Sequence, residues 1–207
     1  MNQCAENGLL KVHLGAFDQS VPGWMNTDIT LHLFIARIPF LPLLLYLVRL
    51  MPRERYLQHK NQVFNRLKHV NLTRPLPFKD GSVIAFFSSH VMEHLFFDEV
   101  EKLITEMYRC LVPGGVCRVV VPDLERIMER YDGTDPRLFF TELSEAKTRS
   151  SVKITHHSAF TGPLLVEMFK KAGFCEATLL KYRVGRCPDI EMLDNRPDES
   201  LFFEAVR

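Results

Sequence analysis

The sequence offers little that would tie the chain to a charged polymer, to a thiolate-bound metal or to a span across a membrane. Its 26 basic and 25 acidic side chains leave a formal charge of +1, so the chain as a whole projects no field that would gather nucleic acid, and no nucleic-acid partner is expected. The five cysteines, Cys4, Cys110, Cys117, Cys175 and Cys187, include no CxxC pair, which removes the usual way of presenting two thiolates to one ion. Such wide, odd-numbered spacing reads as reduced thiols. The N-terminal MNQCAENG lacks a basic segment followed by an apolar one, so no secretory leader is expected and the localisation expected is cytoplasmic. The most apolar stretch, Leu33 to Leu50, is interrupted by Arg37 and Arg49 and carries Pro39 and Pro42. Those residues argue against a continuous spanning helix and for a buried or capping helical hairpin, with peripheral contact to a membrane surface as the other reading.

What is present is ordinary globular material: 207 residues, 46% hydrophobic and 25% charged, enough to bury one core, so a single domain over residues 1–207 is expected. Leu9 to Leu14 is an apolar run stopped by Gly15, and Trp24 to Ile29 follows the turn Val21-Pro22-Gly23; both read as strands. So little chain separates them that the helix between them is expected to be very short or lost. Residues Leu31 to Lys68 read as a helical insertion that covers a site, with Tyr56, Val63, Phe64 and Leu67 spaced to share one apolar helical face.

Strands and helices then alternate, which predicts an α/β fold with a doubly wound, mostly parallel sheet covered by helices on both faces. Val83 to Ser88 is a strand. Asp98 to Leu111 is a helix with Asp98 as its N-cap and Val100, Leu103, Ile104, Met107 and Leu111 on its buried side. Pro113-Gly114-Gly115 stops that helix, and the β-branched run Val116 to Val121 is the central strand. Leu124 to Tyr131 is helical, and the polar region Asp132 to Ile154 carries weak signals. Gly162 to Ala172 is a helix closed by Gly173, and Ala177 to Val184 with Ser200 to Val206 form the closing pair of strands.

The succession KVHLGAFDQSVPGWMNTDI, NLTRPLPFKDGSVIAFFSSHVMEHL and EMYRCLVPGGVCRVVVPDLERI resembles the class I, Rossmann-like S-adenosylmethionine-dependent methyltransferases of the type 11-like group. The tail LDNRPDESLFFEAVR is similar to that of a predicted-methyltransferase branch within it. The resemblance runs along nearly the whole chain and is carried by the joint order of its short pieces. It implies a seven-stranded sheet with an antiparallel last strand, S-adenosylmethionine as cofactor and methyl transfer; the apolar character of the insertion Leu31 to Lys68 points to a small-molecule or lipid-like acceptor.

Residue by residue, the resemblance implies that Gly15, Ala16 and Phe17 form the loop beside the amino-acid part of the cofactor, that Asp28 accepts bonds from the ribose hydroxyls, that Asn71 and Leu72 meet the adenine, and that Ser88, Ser89 and His90 pass beside the methionine moiety. These positions suit a ligand held at the carboxyl ends of strands, where the strand order reverses. His90, His94, His156 and His157 are the candidate bases. His90 and His94 would share a face if that segment is helical. With Glu93 they lack an evident third ligand, so no metal is expected. The first loop reads Gly15-Ala16-Phe17-Asp18 where the family is glycine-rich, and the bulk of Phe17 motivates an alternative: a methyltransferase fold kept as a binding or scaffold protein. An NAD-dependent enzyme is disfavoured, because the glycine fingerprint for pyrophosphate is missing.

Overall fold

The computed structural model describes residues 8–145 and 155–207; Cys4 and the stretch up to Ile154 that ends the weakly patterned region lie outside them. Strands β1 (Leu10–Leu14) and β2 (Met25–Asp28) are parallel neighbours. Three short helices follow, α1 (His32–Ile35), α2 (Leu41–Leu47) and α3 (Arg53–Lys60), then a 3-10 turn at Val63–Arg66 and the two-residue strand β3 (Lys68–His69). The chain returns through β4 (Val83–Ser89), a 3-10 turn at Met92–His94, α4 (Phe97–Cys110), β5 (Leu111–Pro122), α5 (Leu124–Arg130) and α6 (Pro136–Ser144). It closes with α7 (Gly162–Lys171), β6 (Glu176–Leu180), α8 (Ile190–Leu193) and β7 (Ser200–Val206).

The seven strands form one sheet in the order β3-β2-β1-β4-β5-β7-β6. All pairings are parallel except those of β7, which runs antiparallel to both β5 and β6. The order reverses at β1 and β4, so the crevice where such sheets bind ligands lies beyond Leu14 and Ser89. Val116 to Val121 is buried throughout, as a β-branched run between β4 and β7 demands.

No helix joins β1 to β2; ten residues of turn and loop cross instead. The two faces are therefore covered unequally. On one, α4 and α7 bring Val100, Leu103, Ile104, Met107, Leu165 and Phe169 onto Leu14, Phe86, Val119 and Phe203. On the other, Val21 and Trp24 of the loop, and Cys187 and Leu193 of the stretch before β7, pack on Ala85, Phe87, Val120 and Phe202.

Several boundaries differ from the sequence expectation for identifiable reasons. Helix α4 begins one residue before Asp98: the Glu99 carboxylate accepts the Phe96 backbone N–H at 3.0 Å, and Asp98 instead pairs with Lys102 at 2.8 Å. The single apolar face from Tyr56 to Leu67 does not form, because Gln62, at φ 58°, breaks the helix after α3. Phe64 and Leu67 are buried with Leu33 and Ala16, whereas Tyr56 stacks on Tyr46. Strand β6 stops at Leu180, because the carbonyls of Lys181 and Val184 turn to accept bonds from Arg118 at 3.1 and 2.9 Å. Among the described residues no helix is long and apolar enough to cross a membrane. Pro42 sits in the first turn of α2, where its missing N–H costs nothing.

Candidate functional site

The register sets Leu14 beside both Thr27 and Ser88, so the next residues, Gly15, Asp28 and Ser89, share one row at the carboxyl edge. Gly15 has φ +67°, and a Cβ there would lie 2.3 Å from Val91 Cγ2. Glycine is required at this position because Val91 packs into the place a side chain would take. Ala16 is buried and donates its N–H to the Thr27 carbonyl at 2.8 Å. Phe17 has φ 41°, and its N–H donates to Asp28 Oδ2 at 3.1 Å. Its ring lies 5.8 Å from that of Phe64 and 6.3 Å from that of His32, with the Arg55 guanidinium 4.6 Å from its centre.

Asp28 Oδ1 accepts the Thr30 N–H at 2.6 Å, so each of its carboxylate oxygens already holds a backbone group and keeps one lone-pair direction. The next acid, Asp18, ties the loop to the insertion by accepting from Arg55 at 3.0 Å and from Gln58 at 2.9 Å. Burial alone would raise the Asp18 carboxyl, but the bonds from Arg55, Gln19 and Gln58 hold it below the usual carboxylate range. Above Phe17, His32 Nδ1 and His59 Nε2 are 2.9 Å apart. Burial, then the neighbouring His32, lowers His59 to about 4, so this pair is neutral at pH 7. Asn71 Oδ1 accepts from the Thr73 N–H and hydroxyl at 3.0 and 2.9 Å, and Leu72 is buried in the main core.

Beyond β4 the polar groups are less satisfied. Ser88 is 1% exposed and its Oγ has no partner. Ser89 Oγ donates to Asn195 Oδ1 at 2.9 Å. His90 has φ 52°; its Nε2 lies 2.8 Å from Ser200 Oγ, and its Nδ1 lies 3.3 Å from both Arg196 Nη1 and Glu93 Oε1. A left-handed residue followed by one 3-10 turn cannot place His90 and His94 on a shared helical face. His94 instead meets His156, ring centres 5.1 Å apart, because the N–H groups of His157 and Ser158 both donate to the Glu93 carbonyl, at 2.7 and 3.1 Å. His157 turns outward and stacks on Phe96.

Glu93, which the sequence offered only as a poor metal partner of His90 and His94, is buried here with neither carboxylate oxygen hydrogen-bonded. An acid between two histidines in SSHVMEHL is the available signal, but its burial becomes visible only once the segment 155–158 closes over it. A cavity of about 70 Å³ is lined by His90, Asp123, Arg126, Arg130, Glu145 and His156, among others. One of about 10 Å³ beside it reaches Glu93, Ser158 and His156. A separate cleft of about 300 Å³ opens on the helix-poor face, between Asp18 to Pro22 and Met192 to Asn195 with His13 at its floor; Gly15, Asp28 and Ser88 do not line it.

The family described as Methyltransferase domain matches residues 46–119, from α2 through most of β5, which leaves the β1–β2 loop outside the match. No protein of curated function matches the sequence. The fold is similar to that of an S-adenosylmethionine-dependent methyltransferase of Thermotoga maritima, with a TM-score of 0.54 and 16% identity over 99% of this chain and 84% of that one. A second S-adenosylmethionine-dependent methyltransferase, from Mesorhizobium loti, gives 0.53 and 18% identity over 97% and 91%. Phosphoethanolamine N-methyltransferase 2 of Haemonchus contortus, solved with S-adenosyl-L-methionine, gives 0.54 and 15% over 98% of this chain but 49% of that one, so the chain spans about half its length.

Proposed function

We propose, for a chain that has the class I, Rossmann-like methyltransferase fold, that it binds S-adenosylmethionine at the carboxyl edge between β1, β2 and β4 and transfers its methyl group to a small or amphipathic acceptor. The observation that carries this reading is that Gly15, Asp28 and Ser89 share one row at the switch point of the sheet, with the unpartnered Ser88 one residue before it on β4. When bound, the cofactor supplies the activated methyl group; the protein's part is alignment and exclusion of water.

The residues fit the cofactor at two points and resist it at two. Asp28 and Ser88 retain acceptor capacity for a nucleoside and an amino-acid group. Val91 fills the space against Gly15, and Phe17 is clamped under the insertion by Phe64 and Arg55. Binding therefore needs Val91 and the 31–68 segment to shift, which makes that segment a cover for the site. His90, lining the 70 Å³ cavity, is the candidate base for a protonated acceptor once the Arg196 guanidinium, 3.3 Å from its Nδ1, moves aside.

Titration calorimetry with S-adenosylmethionine tests this. Saturable heat is expected in the wild type, tightened in Val91→Ala and weakened about 10- to 100-fold in Asp28→Ala, the loss of charge-assisted hydrogen bonds of about 1.5–3 kcal/mol. A second reading, a scaffold that keeps the fold without turnover, is favoured by the commitment of both Asp28 oxygens to backbone groups. Absence of heat in both the wild type and Val91→Ala would remove the enzymatic reading and favour this one.

The acceptor's character follows from the cover. Residues 31–68 carry seven Lys or Arg against the single acid Glu54, and Leu31, Phe40, Leu47 and Leu50 are 67–83% exposed. A basic surface with bare apolar side chains suits an anionic bilayer, from which a lipid-like acceptor can be drawn. Co-sedimentation with phosphatidylserine vesicles, lost in Phe40→Ser/Leu50→Ser, is the expected result. The free thiols of Cys110, Cys117, Cys175 and Cys187 support a cytoplasmic setting for that surface.

A further inference from the structure

We propose that Glu93, His94 and His156 form a binding site for one divalent transition-metal ion of the zinc class. The proposal does not depend on methyl transfer.

One ligand atom from each of the three residues lies within 4.8 Å of the others. Two imidazoles and a carboxylate are a donor set that zinc accepts in catalytic sites, leaving a position open. The backbone prepares both rings. The Thr155 carbonyl lies 3.3 Å from His94 Nδ1, and the Leu143 carbonyl 2.9 Å from His156 Nδ1. A carbonyl can only accept, so each Nδ1 carries the proton and each Nε2 keeps a free lone pair, the arrangement typical of histidine ligands.

Glu93 supplies the independent observation. Its side chain is 1% exposed and neither carboxylate oxygen accepts a hydrogen bond. His90 Nδ1 approaches Oε1 to 3.3 Å, but the same nitrogen faces the Arg196 guanidinium, which can only donate. A buried carboxylate without donors is costly, and a bound cation removes that cost. The neighbouring space of about 10 Å³, where Glu93, His156 and Ser158 meet the apolar side chains of Leu124, Ile127, Leu143 and Phe160, is the size of one water and leaves room for the Glu93 and His156 side chains to move. Glu145 Oε2, 3.8 Å from His156 Nε2, stands on the side open to the larger cavity. Three donors on a tetrahedral zinc with bonds of about 2.0–2.1 Å sit about 3.3 Å apart, so binding draws the side chains inward by roughly an ångström.

Metal-stripped protein titrated with Co²⁺ and followed by visible absorption tests the site, with Zn²⁺ competition as the second reading. One equivalent is expected to bind. Glu93→Gln, His94→Ala and His156→Ala each lower the affinity about 100-fold or more, beyond what loss of a supporting group costs. His157→Ala, a neighbour whose ring points outward, leaves it unchanged. Histidine ¹⁵N spectra of the wild type need no variant to fold: Zn²⁺ is expected to shift His94 and His156 at Nε2 and to leave His157 and His32 in place. Absence of a stoichiometric Co²⁺ band, equal affinity in all the variants, or shifts confined to other histidines would overturn the proposal. Calorimetry with S-adenosylmethionine reads the cofactor separately, so either site can fail alone.

Discussion

The two faces of the sheet solve one burial problem with different material. Under α4 and α7 the contacts are almost wholly apolar, with Phe86, Leu103, Leu165, Phe169 and Phe203 buried together. A helix satisfies its own backbone groups, so it can lay side chains on a sheet and ask nothing more of it. The opposite face has lost the helix between β1 and β2 and is covered by loop segments, whose carbonyls and N–H groups need partners. Charges within the sheet meet that need. Arg118, fully buried on β5, pairs with Asp194 at 2.5 Å and holds the carbonyls of Lys181 and Val184; Glu204 on β7 accepts the N–H groups of Arg186 and Cys187 at 2.9 and 3.1 Å. Lys11 and Trp24 both donate to Asp189. Loops can replace helices over a sheet if the sheet itself carries buried charge.

The largest expected effect breaks this comparison at its centre. Arg118→Ala leaves the Asp194 carboxylate buried and uncompensated, at a cost of about 3–5 kcal/mol, and frees residues 181–195 to early proteolysis. Leu165→Ala on the helical face also destabilises, by about 2–5 kcal/mol, yet leaves that segment protected. Limited proteolysis with urea unfolding distinguishes them; equal cleavage in both variants would mean that the charges do not hold the loop face.

A smaller effect sharpens it. His13, which points to the loop face and packs edge-on against Phe87, is lowered to about 4 by burial, against a small raising effect of Asn26. The folded state therefore resists protonation that the unfolded chain accepts near pH 6.5. Stability is complete above pH 6.5 and is lost as the pH falls toward 4, by on the order of 3 kcal/mol for this residue. Urea midpoints at pH 7 and pH 4.5 measure it, and His13→Asn is expected to flatten the dependence. His59, lowered to about 4 at the insertion, adds a loss of the same sign.

Most of the strand and helix inventory was legible in the residues. The run Val116 to Val121, the spacing of Val100, Leu103, Ile104 and Met107, and Gly173 behind α7 each state their structure through near neighbours. The missing helix between β1 and β2 was readable from the shortness of the connection. The candidate site was legible only as a set of positions at the strand ends. That Gly15 accommodates Val91, that Asp28 holds Phe17 and Thr30, and that His157 points outward depend on side chains arriving from elsewhere in the fold.

What the sequence determined by itself is the alternation of strands and helices, because burial on one face imposes a period of two or of 3.6 on adjacent residues. What only the tertiary structure decided is which distant groups meet: Arg118 with Asp194, 76 residues apart, and Glu93 and His94 with His156. Those meetings follow from strand order and register, which are set by packing the whole core at once and leave no periodic trace along the chain.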